Sequence, residues 1–257
     1  MNTNEFLSMA WRFNSLLLVL AGLACGGYFI AFGGRGRPGY FVAAGIIFVL
    51  ALASPLGALA DGYLFSAHMI QHILFLLIVP ALLLLSLPRS FQLPAWLHVV
   101  TYPVLAWVAG VGAMWLWHAP ILCNAASVSS RVFALQTTSL ILMGSLFWWQ
   151  IIAPRESDRL SPAAGIAYLF TACVACSVLG MILTFAPVSL CPAYQHPADQ
   201  LGLLGTIRGQ WGLTSERDQQ IGGLLMWVPM CLIYATAILA QFARFHADAP
   251  QMEKHHA

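Results

Sequence analysis

Residues 68–87 read HMIQHILFLLIVPALLLLSL. Two histidines and a glutamine lead directly into an apolar run that ends near Ser86. A bilayer span needs about 20 mainly apolar residues, and this stretch supplies them. It reads as a transmembrane helix with polar side chains in its first turn. Polar and ionisable groups at membrane depth are costly, and those that occur face a cavity, a partner or a ligand. The same twenty residues therefore pose the question of fold and the question of function.

The rest of the chain agrees on the fold. Its 257 residues are 60% hydrophobic and 8% charged, where an average soluble domain carries about 25% charged residues. Mean hydropathy is +0.79. So few charges cannot solvate the surface of a soluble domain, and the expectation is an all-α membrane protein whose surroundings are the lipid bilayer. Seven spans are expected, over about 14–32, 40–60, 67–87, 97–118, 132–153, 163–186 and 220–243, making residues 1–257 a single polytopic membrane domain. Turn-forming stretches separate them: GGRGRPG at 33–39, LPRSFQLP at 87–94 and APRESDRLSP at 153–162. The one long connection, 187–219, has 33 residues. Pro80 and Pro229 lie inside spans and are expected to kink them. Trp115, Trp117, Trp148, Trp149 and Trp227 lie near span ends and read mostly as an interfacial belt. The polar start MNTNEFLSMAWRFN has no clear small-residue cleavage site, so the first apolar run reads as a retained span. A net charge of +2 without a basic run argues against a nucleic-acid partner.

Lys and Arg set the expected orientation. The N-terminus and the even-numbered connections hold four, Arg12, Arg131, Arg208 and Arg217. The odd-numbered connections and the C-terminus hold seven, Arg35, Arg37, Arg89, Arg155, Arg159, Arg244 and Lys254. This predicts a seven-transmembrane helical bundle with the N-terminus outside and the C-terminus cytoplasmic. The tail HADAPQMEKHH, with His246, His255 and His256, reads as solvated.

That orientation gathers the unusual polar residues at the outer end. His68 and His72 stand four apart and share a helix face, a spacing from which two imidazoles reach one metal ion. His118, closing the fourth span, supplies a third nitrogen. Met114 stands one turn before it, and Met69 lies beside His68. Asp218, Gly222 and Met226 follow at i, i+4 and i+8 on the seventh span. Imidazole suits several transition metals and thioether favours Cu(I). The expected metal ligands are therefore His68, His72 and His118, with Met114 and Met226 as soft auxiliaries and copper as the ion. Asp218 and Gln219 are expected to orient the imidazoles from behind. A haem held by one of His68 or His72 together with His118 is the less favoured cofactor, because axial ligands approach a porphyrin from opposite faces. His98 reads instead as a helix-end histidine bonded to a carbonyl.

No enzyme motif accompanies these groups. Met69 stands where an HExxH metalloprotease has its glutamate, and no phosphate-binding loop, nucleophile elbow or dinucleotide fingerprint occurs. There are six cysteines. Cys173 and Cys176 form a CxxC inside an apolar run, and without a second such pair they read as small packing residues. Cys123 and Cys191 fall in connections on the same side, where a disulfide is possible. Small residues on the sixth and seventh spans suit helix contacts, within the chain or in a homo-oligomer.

The stretch SPLGALADGYLFSAHMIQHILFLLIVPALLLLSLP, with WLWHAP at 115–120, GSLFWWQI at 144–151 and DQQIGGLLMWVP at 218–229, resembles the multi-span CtaG family of cytochrome c oxidase assembly factors. The resemblance covers roughly residues 40–243. It implies a bacterial inner-membrane protein that supports biogenesis of haem–copper oxidases by handling copper, with cytochrome c oxidase subunits as partners. The motif positions fall on His68, His72, His118, Asp218, Gln219, Gly222, Gly223, Met226 and Trp227. The family usually has a further histidine where this chain has Thr137, which makes Gln136 and Met114 candidates to compensate. A haem-binding redox protein and a scaffold subunit of a respiratory complex are the alternatives.

Overall fold

A computed structural model describes residues 3–13 and 15–253. All regular structure among the described residues is helical. The α-helices in chain order are α1 (Thr3–Met9), α2 (Ser15–Phe32), α3 (Pro38–Ala53), α4 (Pro55–Ala60), α5 (Phe65–Ile73), α6 (Val79–Ser86), α7 (Pro103–Trp117), α8 (Pro120–Val128), α9 (Ser130–Ile152), α10 (Pro162–Phe185) and α11 (Ser215–Glu253). Proline begins α3, α4, α7, α8 and α10, where its missing N–H costs nothing and its fixed φ suits the first turn.

Among the described residues, five helices are long and apolar enough to cross a bilayer: Leu17–Arg35, Phe65–Ser86, Ser130–Ile152, Pro162–Phe185 and Ser215–Ala247. The pair α7 and α8 passes only jointly, and is bent by 72°. Two proline effects alter the expected boundaries. Pro55 ends the helix expected over 40–60 at Ala53, and α3 alone has 16 residues, about 24 Å at 1.5 Å per residue against a hydrocarbon core near 30 Å. Ser54 caps the second piece, its hydroxyl accepting from the Leu56 N–H at 3.3 Å. Pro103 delays α7, so the stretch 97–102, expected to be helical, precedes it, with a short 3-10 turn at Ala95–Leu97. Here His98 Nε2 meets the Leu93 carbonyl at 3.4 Å. The expected tail is helical as far as Glu253, the end of α11; His255 and His256 lie outside the described residues.

Pro80 acts as expected. α5 and α6 form one helix joined by a π turn at Leu74–Ile78, because the Pro80 ring cannot share space with the carbonyl four residues back, that of Leu76. α9 fits against this defect through Gly144: a Cβ there would strike the Leu76 carbonyl oxygen and lie 2.8 Å from Pro80 Cγ. Pro229, in contrast, is carried within α11 without interrupting it.

α10 and α11 pack along their length, α7 packs on α9, α5 on α11, and α3 on α6. Three of the four free thiols sit in the first of these seams, Cys173 Sγ 3.3 Å from Cys231 Sγ and Cys176 Sγ 3.8 Å from Tyr234 Oη, as small packing residues, while Cys25 lies on α2. Trp117, Trp148 and Trp149 are buried in the core and do not form the expected belt, whereas Trp115 remains exposed. Outward side chains such as Leu23, Ile30, Val104, Phe170 and Leu239 are exposed and apolar, which suits a multi-pass membrane protein.

The two ends differ in chemistry. At one end burial, then the charges of Arg244, Arg89 and Arg37, push the Arg159 guanidinium below its ordinary value, with Glu156 opposing. At the other end a small second core joins Phe6 of α1, Ala58 and Ala60 of α4, Tyr63, Leu203 and Ile207. The histidines lie at this second end.

The Gly144 contact yields a test. Overpacking costs about 1–3 kcal/mol, so Gly144→Ala should lower the thermal midpoint of the detergent-solubilised protein. Gly112→Ala, whose Cβ would meet nothing within 4 Å, should leave it unchanged or raise it.

Candidate functional site

The first N–H groups of a helix lack partners within it. α5 has no cap of its own: Leu64 precedes it and offers no side-chain hydrogen bond. Asp218, at the start of α11, provides the cap from across the bundle. Its Oδ2 accepts from the Phe65 N–H at 2.7 Å, and its Oδ1 accepts from the Ser66 N–H at 3.1 Å and the Ser66 hydroxyl at 2.5 Å. Asp218 is buried. A carboxylate at a helix N-terminus is favoured by the helix dipole and by charge-assisted hydrogen bonds. Asp218 thus anchors the backbone of the histidine helix, and its carboxylate is spent on α5 rather than on an imidazole.

The rest of DQQIGGLLMWVP serves the same docking. Gln219 accepts from Leu190 N–H at 3.2 Å and donates to the carbonyls of Ala186 and Val188 at 3.4 and 3.3 Å. It therefore holds the connection after α10 and also does not touch the histidines. Gly222 brings α11 against α5, since a Cβ there would lie 3.2 Å from Met69 Cγ and strike the Phe65 ring. Gly223 does the same toward Thr184 of α10, and Gly180 of α10 makes room for Trp227.

His68 and His72 face each other, Nε2 to Nε2 at 3.0 Å. Both are buried, and the Nδ1 of each is buried without a hydrogen-bond partner. His118 arrives from α7 because Pro120 forces the chain out of the helix; His118 is the C-cap that follows Trp117 at the 72° bend. The ring centroids of His72 and His118 are 4.9 Å apart. His118 Nδ1 lies 2.6 Å from the Met114 carbonyl oxygen. A carbonyl can only accept, so Nδ1 carries the proton and the neutral ring presents its lone pair at Nε2. That Nε2 points at Met69 Sδ, 3.1 Å away.

The three predicted histidines are therefore brought together. Met114 and Met226 are fully buried, but Met114 contributes its carbonyl, and among the described residues Met69 is the methionine whose sulfur meets an imidazole nitrogen. Helical angles could have signalled this: Met69 lies about 100° from His68 and His72 about 40° from it on the same side, at 3.6 residues per turn. Among the described residues no group of three or more His, Cys, Asp or Glu side chains is arranged to hold a metal ion.

Thr137 stands one turn along α9 from Phe133. Phe133 packs near His68, at 6.4 Å between centroids, and Gly144 abuts Leu76 further along both helices, so α9 runs parallel to α5. One turn beyond Phe133 is Thr137, and one turn beyond His68 is His72. Thr137 Oγ1 and Gln136 Nε2 are both buried without a partner.

A strap covers the cluster. Cys123 of α8 and Cys191 form a disulfide, with Cα atoms 5.8 Å apart. Ala193 N–H donates to Asn124 Oδ1 at 3.0 Å, and Tyr194 donates to the Ala60 carbonyl at 2.9 Å. The Tyr194 ring lies 5.8 Å from that of His68, and burial, then Asp61 and Asp218, push its hydroxyl pKa up. Beside the strap opens a cavity of about 580 Å³, lined among others by His68, Gln71, Tyr194 and His196. Sequence reasoning did not single out His196 or Phe133, whose places depend on how the strap and α9 fold over the histidines.

No curated protein and no solved structure matches the chain. A family model does, that of the cytochrome c oxidase caa3 assembly factor, over residues 33–248. This span includes α3 to nearly the end of α11, and with them the three histidines, the strap and Asp218. The chain belongs to the family of cytochrome c oxidase caa3 assembly factors.

Proposed function

We propose that this assembly factor is a seven-span protein of the bacterial inner membrane that holds copper, as cargo for a haem–copper oxidase, between His68, His72 and His118 at its outer end. The observation that carries the reading is the meeting of electron-pair donors. His118 Nε2, with its proton committed at Nδ1, faces a thioether sulfur at 3.1 Å. His68 and His72 turn their Nε2 atoms to each other at 3.0 Å while their Nδ1 atoms find no partner. Buried donors so arranged repel one another or waste hydrogen-bonding capacity, and a cation among them removes both costs. Three imidazoles and a thioether make a donor set of the kind that selects copper, with Cu(I) favoured by the sulfur. Met69 replaces Met114 and Met226 as the soft ligand in this proposal.

The span count follows from taking α3 with α4 as one crossing and α7 as another. The orientation has two supports. Arg37, Arg89, Arg159 and Arg244 crowd the end opposite the histidines, as cytoplasmic loops require. The disulfide lies at the histidine end, and disulfides persist in oxidising compartments outside the cytoplasm.

A bis-histidine haem fits the geometry less well. The His68 and His72 rings touch and belong to one helix, and His118 Nε2 is turned onto Met69, so no pair here flanks a porphyrin plane.

Copper content tests the proposal. Protein purified without a histidine tag and loaded with Cu(I) should retain copper stoichiometrically, and His72→Ala should weaken retention by about tenfold or more. Wild-type protein that stays copper-free after loading removes the cargo role. Asp218→Asn should act at a distance, costing about 1–3 kcal/mol through amides left short of an acceptor. Hydrogen exchange should rise at Phe65 and Ser66 while the amides of α9 stay protected. For orientation, Val188→Cys, at an exposed position of the connection that carries Cys191, should be labelled by a membrane-impermeant maleimide in intact spheroplasts. Labelling only after permeabilisation would invert the topology.

A further inference from the structure

The cavity beside the strap joins exposed and buried chemistry. Its outer wall includes the Arg12–Asp61 ion pair, 2.7 Å long with side chains 43% and 66% exposed. His196 is also exposed and also lines it. Its inner wall includes His68 and Gln71, each only 2% exposed. Both inner residues keep an unsatisfied polar atom, His68 Nδ1 and Gln71 Oε1; the amide nitrogen of Gln71 donates to the Ala51 carbonyl at 2.7 Å. Two buried polar residues with spare bonding capacity thus share a cavity with an imidazole at the surface. The strap fixes their relation. Tyr194 packs against His68, and His196 follows two residues later, within about 7 Å of chain. The disulfide at Cys191 and the Tyr194–Ala60 bond prevent this segment from swinging away.

We propose that this cavity is the loading route of the histidine site and that His196 is its entry ligand, the first side chain to take Cu(I) from the outside. This rests on the copper reading above and adds to it the path and a residue with a kinetic role. The step is ligand exchange. The incoming Cu(I) leaves its external chelator, gains a bond to an imidazole nitrogen of His196, and then exchanges that bond for His68 and His72. No electron moves, since each bond broken or formed is between the ion and a ligand lone pair. A volume of about 580 Å³ far exceeds the roughly 30 Å³ of a single water, so an ion can enter with part of its original ligand shell and shed it inside. The exposed ion pair keeps the mouth polar without a large net charge, which suits a singly charged cargo.

Stopped-flow transfer from a chromophoric Cu(I) chelator to the full-length protein in detergent separates path from site. His196→Ala should slow uptake at least fivefold and leave the final copper per chain unchanged, and His196→Met, which restores a donor, should recover much of the rate. Ser130→Trp, at an exposed position of the same wall, should slow uptake by obstruction. Wild-type loading rates in both His196→Ala and Ser130→Trp would overturn the route while leaving the copper site standing. A loss of final stoichiometry in His196→Ala would also overturn it, by making His196 a resident ligand. Wild-type protein that takes up no copper would overturn the site and the route together.

Discussion

The bond on which the histidine end depends is the one between Asp218 and the first turn of α5. A carboxylate removed from water is expensive unless its lone pairs are met. Here two backbone N–H groups and a hydroxyl meet them, and the same contacts satisfy a helix start that has no acceptor of its own. Each side solves the other's problem. Because the helix that gains its cap also carries His68, Met69 and His72, the last helix of the chain sets where three of the four proposed donors stand. Gly222 completes the lock by letting α11 close on Phe65 and Met69.

This division of labour separates support from chemistry. Asp218 and Gln219 are consumed by backbone groups, so the imidazoles are left without carboxylate partners and keep their lone pairs free. His118 obtains its orientation from a backbone carbonyl instead. The carboxylate of Asp218 is tied to the backbone and hydroxyl of the first turn of α5.

Much of this was legible in the sequence, and the rest was hidden for physical reasons. Hydropathy located the long helices within a few residues, apart from α11, which starts five residues earlier and runs ten residues further than expected, since burial in lipid demands an apolar run whatever the packing. It overlooked the break at Pro55 and the late start at Pro103, where local backbone constraint outweighs composition. Trp117, Trp148 and Trp149 were misread because a tryptophan near a span end looks the same in sequence whether it faces lipid or core. The convergence of His68, His72 and His118 followed from spacing and side. The partner of Asp218 did not, because Phe65 lies 153 residues away in sequence and a backbone amide carries no signature. Met69 shares the side of α5 toward which His72 lies, which helical angles give, but that His118 turns to it follows from the bend at Pro120, whose angle is not written in residue types.

The disulfide also imposes an order of events on the maturing chain. Cys123 and Cys191 are separated by 68 residues that contain α9 and α10, so the bond cannot close until both helices have been threaded and have returned the second cysteine to the side of the first. The Asp218 cap arrives later still, with α11. The histidine helix is thus made in the first third of synthesis yet remains unroofed and uncapped until the final helix is in place. The histidine end is therefore complete only once α11 has packed against α5.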